Sequence, residues 1–201
     1  MKKKILIFGN LGYVGSKLSE VLNYKKFETY GVDIGLFENC TFYKNFKEKK
    51  IMQYYDDVRK LNYSLLKDKD IIVYLAAISN DPMGEKFKKI TQEINYKSCI
   101  KIAKKAKKFG CKSFIFASSC SVYGTKGKKL KKEKHKLNPL TVYAKSKILC
   151  EQELKKISSK KFKVFCLRFA TACGESSRLR LDLVLNDFVY SAVKQKCINI
   201  L

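Results

Sequence analysis

Two side chains, one helical turn apart, have the types and the spacing that proton transfer needs. Tyr143 and Lys147 are the ends of a Y-x-x-x-K motif, and positions i and i+4 share one face of a helix. Tyrosine titrates near ~10, too high for a base at neutral pH, but a nearby ammonium and a helix N-terminus both favour the phenolate. Lys145, two residues after the tyrosine, points away from that face. The motif therefore predicts a Tyr–Lys acid/base site.

A hydroxyl-rich segment supplies a candidate partner for this pair. Ser118 and Ser119 end an apolar run that is predicted to form the fifth strand. The carboxyl ends of parallel strands open onto the ligand crevice of an α/β sheet. A serine hydroxyl at that edge can bond a reacting oxygen and orient it towards the tyrosine, although strand-end turns use the same residue type.

A glycine-rich turn near the N-terminus has the spacing G-x-x-G-x-x-G. Gly9 permits the tight turn, Gly12 lets the backbone approach a pyrophosphate, and Gly15 lets the following helix pack on the sheet. Tyr13 and Val14 open that helix, whose free N–H groups and positive dipole end face the phosphates. Because the motif lies between a predicted strand and a predicted helix, it predicts a dinucleotide site that includes all five residues.

Asp33 decides which dinucleotide is expected. It ends the second predicted strand, where a carboxylate accepts hydrogen bonds from the adenosine ribose hydroxyls and repels a 2′-phosphate. Ile34 and Gly35 follow it, so no adjacent basic residue is available to hold that extra phosphate. The expected cofactor is therefore NAD.

The elements that must position these residues alternate between strand and helix. Strands are predicted over residues 4–8, 29–33, 71–76, 113–118 and 164–168, with a weaker one near 51–54, and helices over 13–23, 91–109, 143–156 and 181–194. Continuous apolar strands suit a parallel sheet that is buried on both faces. The alternation predicts an α/β fold, a doubly wound parallel sheet of the Rossmann type. Residues 197–201 are expected to begin a further strand, and residues 125–136 to form an exposed lysine-rich loop.

Composition excludes several classes of protein. Hydrophobic residues make up 46% of the chain, which excludes a disordered protein, and no apolar run is long enough to cross a bilayer, so a cytoplasmic location is expected. Eight cysteines without a C-x-x-C pair and a single histidine predict buried thiols, and no metal site. The formal net charge of +25 comes almost entirely from dispersed lysines, whereas nucleic-acid interfaces favour arginine, so no nucleic-acid partner is expected.

Taken together, these motifs resemble those of the NAD-dependent epimerase/dehydratase family, the extended short-chain dehydrogenase/reductases that act on nucleotide-activated sugars. The resemblance covers essentially the whole chain, and the matching pieces occur in family order. They are the glycine motif at 9–15, Asp33, Asp56-Asp57-Val58-Arg59, Leu75-Ala76-Ala77, Asn95, Ser118-Ser119, Val122-Tyr123-Gly124, the Y-x-x-x-K motif at 143–147 and Leu167-Arg168.

The resemblance implies a role for each matching position. Ser119, counted back from the Val-Tyr-Gly at 122–124, is similar to the catalytic serine, with Ser118 as the near alternative. Tyr143 is similar to the acid/base, and Lys147 to the lysine that holds the nicotinamide ribose and lowers the tyrosine pKa. The other expected cofactor contacts are Asp57, Val58, Ala76, Ala77, Asn95 and Ser118; Thr171 and Asn186 join Ser119 and Tyr143 as expected substrate contacts.

One departure from the family pattern bears on the reaction. The family's 4,6-dehydratases resemble one another in having an Asp-Glu pair after the active-site hydroxyl residue, where this chain has Cys120-Ser121. This departure disfavours dehydration. Between the remaining activities, the resemblance favours epimerisation of a nucleotide sugar by transient oxidation of a sugar hydroxyl. A dehydrogenase/reductase or a 4,6-dehydratase of the same family is the alternative. A non-catalytic NAD-binding fragment is an alternative of another class, and nucleic-acid binding ranks last.

The resemblance also implies a domain organisation. Family members carry a smaller C-terminal substrate domain, most of which is expected to be missing here. Residues 1–172 are expected to form the NAD-binding Rossmann domain, and residues 173–201 the start of a truncated substrate-binding region. The implied partners are a nucleotide-sugar substrate and a second copy of the chain, which would pair through the helices around 91–109 and 143–156.

Overall fold

Six parallel strands in the order β3-β2-β1-β4-β5-β6 form the sheet of this computed structural model, which describes residues 2–23, 27–41, 51–79, 81–124 and 130–200. The strands are β1 (Lys3–Phe8), β2 (Phe27–Asp33), β3 (Met52–Tyr55), β4 (Ile71–Tyr74), β5 (Ser113–Ser119) and β6 (Lys163–Phe169). The helices are α1 (Tyr13–Asn23), α2 (Asp81–Lys86), α3 (Lys88–Gln92), α4 (Cys99–Lys108), α5 (Val142–Ile157) and α6 (Val184–Gln195). This strand order is that of doubly wound dinucleotide-binding folds.

The strands form where the sequence has its apolar runs. Leu6, Ile7 and Phe8 of β1 are fully buried, as are Ile72 and Tyr74 of the neighbouring β4. Such burial on both faces of the sheet is typical of central strands in parallel sheets. Every predicted strand that precedes residue 170 is confirmed, with ends that differ from the prediction by at most two residues.

Helices cover the two faces of the sheet. On one face, Phe116 of β5 lies in a core cluster with Ile102 of α4 and Leu154 of α5, all fully buried. On the other face, Ile7 of β1 packs in a smaller cluster with Leu18 of α1. Burial of a large apolar side chain contributes roughly 1.5–3 kcal/mol, so these two clusters fix the positions of the helices that carry the candidate site.

The helices differ from the prediction mainly after β4. No sequence pattern predicts α2, because Pro82 and Gly84 both weaken a helical pattern, although proline is tolerated in a first turn. The helix predicted over 91–109 is confirmed, but it starts earlier, at Lys88, and a π-helical turn over Glu93–Ser98 joins α3 to α4. Helix α1 has the predicted bounds, and α5 is one residue longer at each end.

Two predictions concern segments outside these elements. Residues 197–200 are not in a strand, so the strand expected over 197–201 is wrong for the residues that the structure describes, because no described strand pairs with them. Residues 130–136 form an exposed loop as predicted, and residues 125–129 of the same prediction lie outside the described residues. Within the described ranges, no helix has the length and apolarity that crossing a bilayer requires.

Candidate active site

The glycine loop at the end of β1 has the close backbone approaches that its spacing predicts. Gly9 has a φ of +82°, and a Cβ atom there would lie 2.7 Å from the main-chain nitrogen of Ala76. A Cβ atom on Gly15 would lie 2.1 Å from the carbonyl oxygen of Gly9. Only glycine fits at these two positions, so the loop lets α1 begin at Tyr13 close against the sheet. The result is a cradle, formed by the glycine loop and the N-terminus of α1, that suits a pyrophosphate.

Asn10, within the glycine loop, anchors the loop to the neighbouring strands. The sequence analysis assigned no role to this residue. Its side chain is buried, and its Nδ2 donates to Oε1 of Gln53 at 2.6 Å. A Cβ atom on Gly31 would lie only 2.3 Å from that Nδ2, so the glycine in β2 makes room for the asparagine. The signal in the sequence was a glycine inside a central strand, which often marks a close approach of another group.

Asp33 lies at the expected place, at the end of β2 beside the glycine loop. Its carboxylate accepts hydrogen bonds from the backbone N–H groups of Leu11 at 3.3 Å and Gly35 at 3.0 Å. The carbonyl oxygen of Asp33 accepts from the N–H of Asp56 at 3.1 Å, which brings the loops after β2 and β3 together. Asp57 follows and pairs with Arg59, and this hydrogen-bonded pairing lowers the pKa of the Asp57 carboxyl.

The remaining predicted cofactor positions lie just after β4 or are buried in the protein interior. Val58 is buried in the main core cluster, and Ala76 and Ala77 are half-buried just after β4. Asn95 is fully buried, and its side-chain amide accepts from the N–H of Ile78 at 2.9 Å and donates to the carbonyl of Ile78 at 3.0 Å. In the structure Asn95 therefore holds the loop after β4 in place.

Helix α5 starts at the candidate catalytic tyrosine. The hydroxyl of Thr141, the N-cap residue of this helix, accepts from the N–H of Ala144 at 3.1 Å. A second cap comes from Glu85 of α2, whose carboxylate accepts from the N–H of Val142 at 3.0 Å. That backbone hydrogen bond lowers the pKa of the Glu85 carboxyl. These contacts hold Tyr143 half-buried in the first turn of α5, beside α2.

Lys147 is placed as the Y-x-x-x-K motif predicts. Its Nζ lies 5.3 Å from the centre of the Tyr143 ring and 4.8 Å from that of Phe116. The same Nζ donates to the carbonyl oxygen of Ala117 at 2.7 Å, which ties α5 to the last residues of β5. The side chain is only 2% exposed, and burial lowers the pKa of its ammonium. Lys145 is exposed, as expected for its position on the opposite face.

The two adjacent serines face opposite sides of β5. The Ser119 hydroxyl accepts from the N–H of Ser121 at 3.2 Å and lies 2.9 Å from the Ser121 hydroxyl. The Ser118 hydroxyl is buried and donates to Glu151, which forms an ion pair with Arg168 at 2.6 Å. Because successive side chains of a strand point to opposite faces, Ser118 is committed to this internal network and Ser119 is left at the open end of the strand.

The two predicted substrate contacts after β6 lie in different environments. Thr171 is exposed. Asn186 is buried, and its amide is occupied by protein groups: it accepts from Gly174 N–H at 3.1 Å and donates to the Tyr13 hydroxyl at 3.1 Å and the Arg180 carbonyl at 2.9 Å. Asn186 thus joins the C-terminal segment to the start of α1.

The sequence did not predict one polar contact at this end of the sheet. Arg180 donates to the hydroxyl of Ser79, in the loop after β4, at 2.8 Å, and pairs with Asp182 at 2.5 Å. No motif marks Arg180, because the contact joins residues that are far apart in the sequence. In the part of the chain that the structure describes, no group of three histidine, cysteine or acidic side chains could hold a metal ion.

Comparison with known proteins identifies the family. The family model described as "NAD dependent epimerase/dehydratase family" matches residues 5–200. A Bacillus subtilis (strain 168) protein described as an uncharacterized UDP-glucose epimerase is 30% identical over 98% of this chain, and a UDP-glucose 4-epimerase of Rhizobium meliloti (strain 1021) is 26% identical over 85% of it. The match covers 65% of the first of these proteins and 52% of the second, so the chain spans less than two thirds of either relative.

The solved structures agree with this assignment. The UDP-N-acetylglucosamine 4-epimerase of Methanobrevibacter ruminantium M1, in complex with UDP-N-acetylmuramic acid, superimposes with a TM-score of 0.85 at 25% identity, over 97% of this chain and 64% of that one. A family match over nearly the whole chain, together with this fold and this arrangement of the glycine loop, Tyr143 and Lys147, leads to one conclusion: the chain belongs to the NAD-dependent epimerase/dehydratase family.

Proposed function

We propose that this chain is an NAD-dependent epimerase of nucleotide sugars, with UDP-sugars as the first substrates to test. The observation that carries the proposal is the position of Lys147, whose ammonium lies 5.3 Å from the Tyr143 ring and is bonded to the carboxyl-terminal part of β5. That position sets a phenol and a buried cation at the edge of the sheet where ligands of this fold bind.

The residues present fit NAD. The glycine loop leaves no room for side chains at Gly9 and Gly15, so backbone N–H groups can approach a diphosphate. The carboxylate of Asp33 stands where it can accept hydrogen bonds from ribose hydroxyls, with Asp57, Val58, Ala76 and Ala77 along the same edge. Bound NAD supplies the reversible two-electron oxidation of a sugar carbon.

Three side chains of the protein handle the proton. Tyr143 as phenolate removes the proton from a sugar hydroxyl, and the ammonium of Lys147 stabilises that phenolate. The Ser119 hydroxyl can accept from Ser121 and still donate its own hydrogen to the sugar oxygen, which orients that oxygen towards Tyr143. Reprotonation by Tyr143 after the sugar has turned over completes an epimerisation.

The groups around Ser119 support epimerisation over loss of water. Water elimination needs an acid close to the leaving hydroxyl. Cys120 and Ser121 follow Ser119 in the chain, and the carboxylate of Glu151 is committed to Ser118 and Arg168. A simple dehydrogenase or reductase would use the same three residues but release its product after one oxidation or reduction.

The test is turnover by the full chain. Purified protein with NAD is incubated with UDP-glucose, UDP-galactose and their N-acetylated forms, and the sugars are separated by chromatography. We expect interconversion of a C4 pair and a fall of about 10²–10⁴-fold in Tyr143→Phe, because the proton acceptor is lost. Tyr63→Phe removes the same hydroxyl from the short 3₁₀ helix Tyr63–Leu66, where the Tyr63 ring lies beside Lys105 of α4 and away from this edge, and we expect it to match the parent. Bound NAD without conversion of any sugar would contradict the proposal and support a non-catalytic NAD-binding protein.

Three further proposals concern the domain organisation, the location and the oligomeric state of the protein. We propose that residues 173–201 belong to the substrate-binding region, that the protein is cytoplasmic, and that it forms a homodimer through α4 and α5. The exposed side of α4 carries Lys101, Lys104 and Lys108. These like charges would face each other in such a dimer, so sedimentation should show association that strengthens with added salt.

A further inference from the structure

The segment of residues 174–186 crosses over the start of α1. The Tyr13 hydroxyl donates to the carbonyl of Gly174 at 2.8 Å, and it accepts from the Asn186 amide at 3.1 Å. The hydroxyl of Ser176 donates to the carbonyl oxygen of Tyr13 at 2.7 Å. Three hydrogen bonds to one residue of the glycine motif hold this crossing segment beside the proposed dinucleotide cradle.

The crossing segment carries Arg178 to a position between two loops of that cradle. The N–H of Arg178 donates to the Ser176 hydroxyl at 3.3 Å, the same hydroxyl that bonds to Tyr13. The Arg178 guanidinium carbon lies 4.4 Å from the centre of the Phe37 ring, in the loop that follows Asp33. Arg178 therefore lies close both to the glycine loop and to the loop at the proposed adenosine end.

Two polar atoms of this stretch have no hydrogen-bond partner in the described protein. Arg178 forms no ion pair with any described carboxylate, and one of its terminal nitrogens donates to the carbonyl of Leu179 at 2.7 Å. Its Nε is buried without a hydrogen-bond partner, and so is the hydroxyl of Ser177, a residue that is 6% exposed. Native proteins seldom leave buried polar atoms unpaired, so these two atoms are available to a further hydrogen-bond partner.

The neighbouring arginine provides a contrast. Arg180 makes two hydrogen bonds to the carboxylate of Asp182, at 3.0 and 2.5 Å, and another to the Ser79 hydroxyl at 2.8 Å. Its charge is compensated, so Arg180 anchors the crossing segment to the loop after β4. Of the two arginines, Arg178 has the charge available for an anion.

We propose that Arg178 is a further cofactor-binding residue, held by the crossing segment against the diphosphate of bound NAD. The inference rests on the proposed NAD binding. A diphosphate is an anion with several acceptor oxygens, and a planar guanidinium is the side chain best suited to bond two of them. Tyr13 would then be a positioning residue, because its hydroxyl fixes the segment that carries Arg178.

Titration of the full chain with NAD and with ADP-ribose tests the proposal. Arg178→Gln removes the charge but keeps an amide donor, and we expect it to weaken binding of both ligands about tenfold, equivalent to ~1.4 kcal/mol. Arg178→Lys restores the charge without the planar fork, so it should recover only part of this loss. Added salt should weaken the binding of NAD to the parent more than its binding to Arg178→Gln, because the parent has one more cation close to the diphosphate whose attraction salt screens. Lys156→Gln, at the far end of α5, is the control and should bind both ligands like the parent.

Two results would overturn the inference. One is an Arg178→Gln variant that is folded by circular dichroism and binds NAD as tightly as the parent. The other is unchanged hydrogen exchange over residues 174–186 of the parent when NAD is added, a measurement that needs no variant. A parent that binds NAD but converts no sugar refutes the epimerase proposal alone, whereas a parent with no affinity for NAD refutes both.

Discussion

At the scale of single residues, the candidate chemistry depends on one buried cation. Lys147 is 2% exposed, and its Nζ bonds to a single carbonyl oxygen, that of Ala117. Burial disfavours a charged group, which is why the pKa of Lys147 is lowered, but the same low dielectric strengthens its attraction for a phenolate on Tyr143. The protein therefore holds a charge that costs stability at the place where the proposed proton transfer needs it.

The first prediction is that Lys147→Met stabilises the fold while it strongly lowers activity. Removal of the buried charge should raise Tm by several degrees, since a domain of this size gains roughly 2–4 °C per kcal/mol, and the proposed turnover should fall at least about 10²-fold. Calorimetry and the sugar assay measure the two effects. A lower Tm in the variant at neutral pH would contradict the argument.

The same substitution has a definite pH dependence. Because burial lowers the folded-state pKa of Lys147, the folded protein releases this proton at a lower pH than the unfolded chain does. The stability advantage of the methionine variant is therefore complete below the folded pKa. It shrinks as the pH rises through that pKa towards the ordinary lysine value of about 10.4. Unfolding by urea at several alkaline pH values measures this difference.

The second prediction separates the two serines that the sequence left as alternatives. Ser119→Ala removes a donor from the open end of β5, so kcat should fall by about 10²–10³ with little change in stability. Ser118→Ala removes a hydrogen bond to Glu151 inside the protein, so stability should fall by about 1 kcal/mol and the chemistry should persist. Kinetics and urea unfolding of both variants decide the matter. The reverse pattern would move the catalytic role to Ser118.

At the scale of elements, the site is built where the ends of β1, β4 and β5 meet helices α1 and α5. Two parts of the site depend on contacts between residues that are far apart in the sequence. Gly9 packs against Ala76, and Lys147 bonds to Ala117. The periodic pattern predicted the strands and helices themselves. It did not predict α2, whose Glu85 caps the helix that carries the tyrosine, because proline and glycine hide the short helix.

The third prediction concerns the junction of β1 and α1. Gly15→Ala places a Cβ atom 2.1 Å from the Gly9 carbonyl oxygen, so the helix must move and stability should fall by about 1–3 kcal/mol, with NAD binding lost. Thermal unfolding and NAD titration measure both effects. Gly84→Ala in α2 is the matched control, because the nearest atom to its Cβ would be 3.8 Å away and alanine favours a helix. Equal stability of the two variants would refute the steric argument.

At the scale of the whole molecule, the dominant feature is the formal net charge of +25. The lysines are distributed along the whole sequence, and most of those that the structure describes are exposed. Such a surface attracts anions from solution without choosing among them, and the attraction falls with ionic strength. Selectivity for the proposed nucleotide-sugar substrate therefore has to come from the residues at the carboxyl edge of the sheet.

The fourth prediction follows from this field. The association rate of UDP with the protein should fall steeply as sodium chloride is raised from low to physiological concentration, since the Debye length shrinks to about 8 Å at 0.15 M. Stopped-flow fluorescence measures the rate. Uridine, which lacks the charged phosphates, should show little change, and an equal fall for both ligands would exclude electrostatic attraction as the cause.

The sequence by itself determined the fold class, the glycine cradle, Asp33 and the Tyr143–Lys147 pair, because each depends on local spacing or on a regular period. Only the tertiary structure decided which serine lies at the open end of β5. It alone showed that the side chains of Asn95 and Asn186 form hydrogen bonds with protein groups. It alone brought Arg178 beside Phe37 and the glycine loop. These contacts join side chains from distant parts of the chain, and a hydrogen bond over such a separation leaves no period or spacing in the sequence.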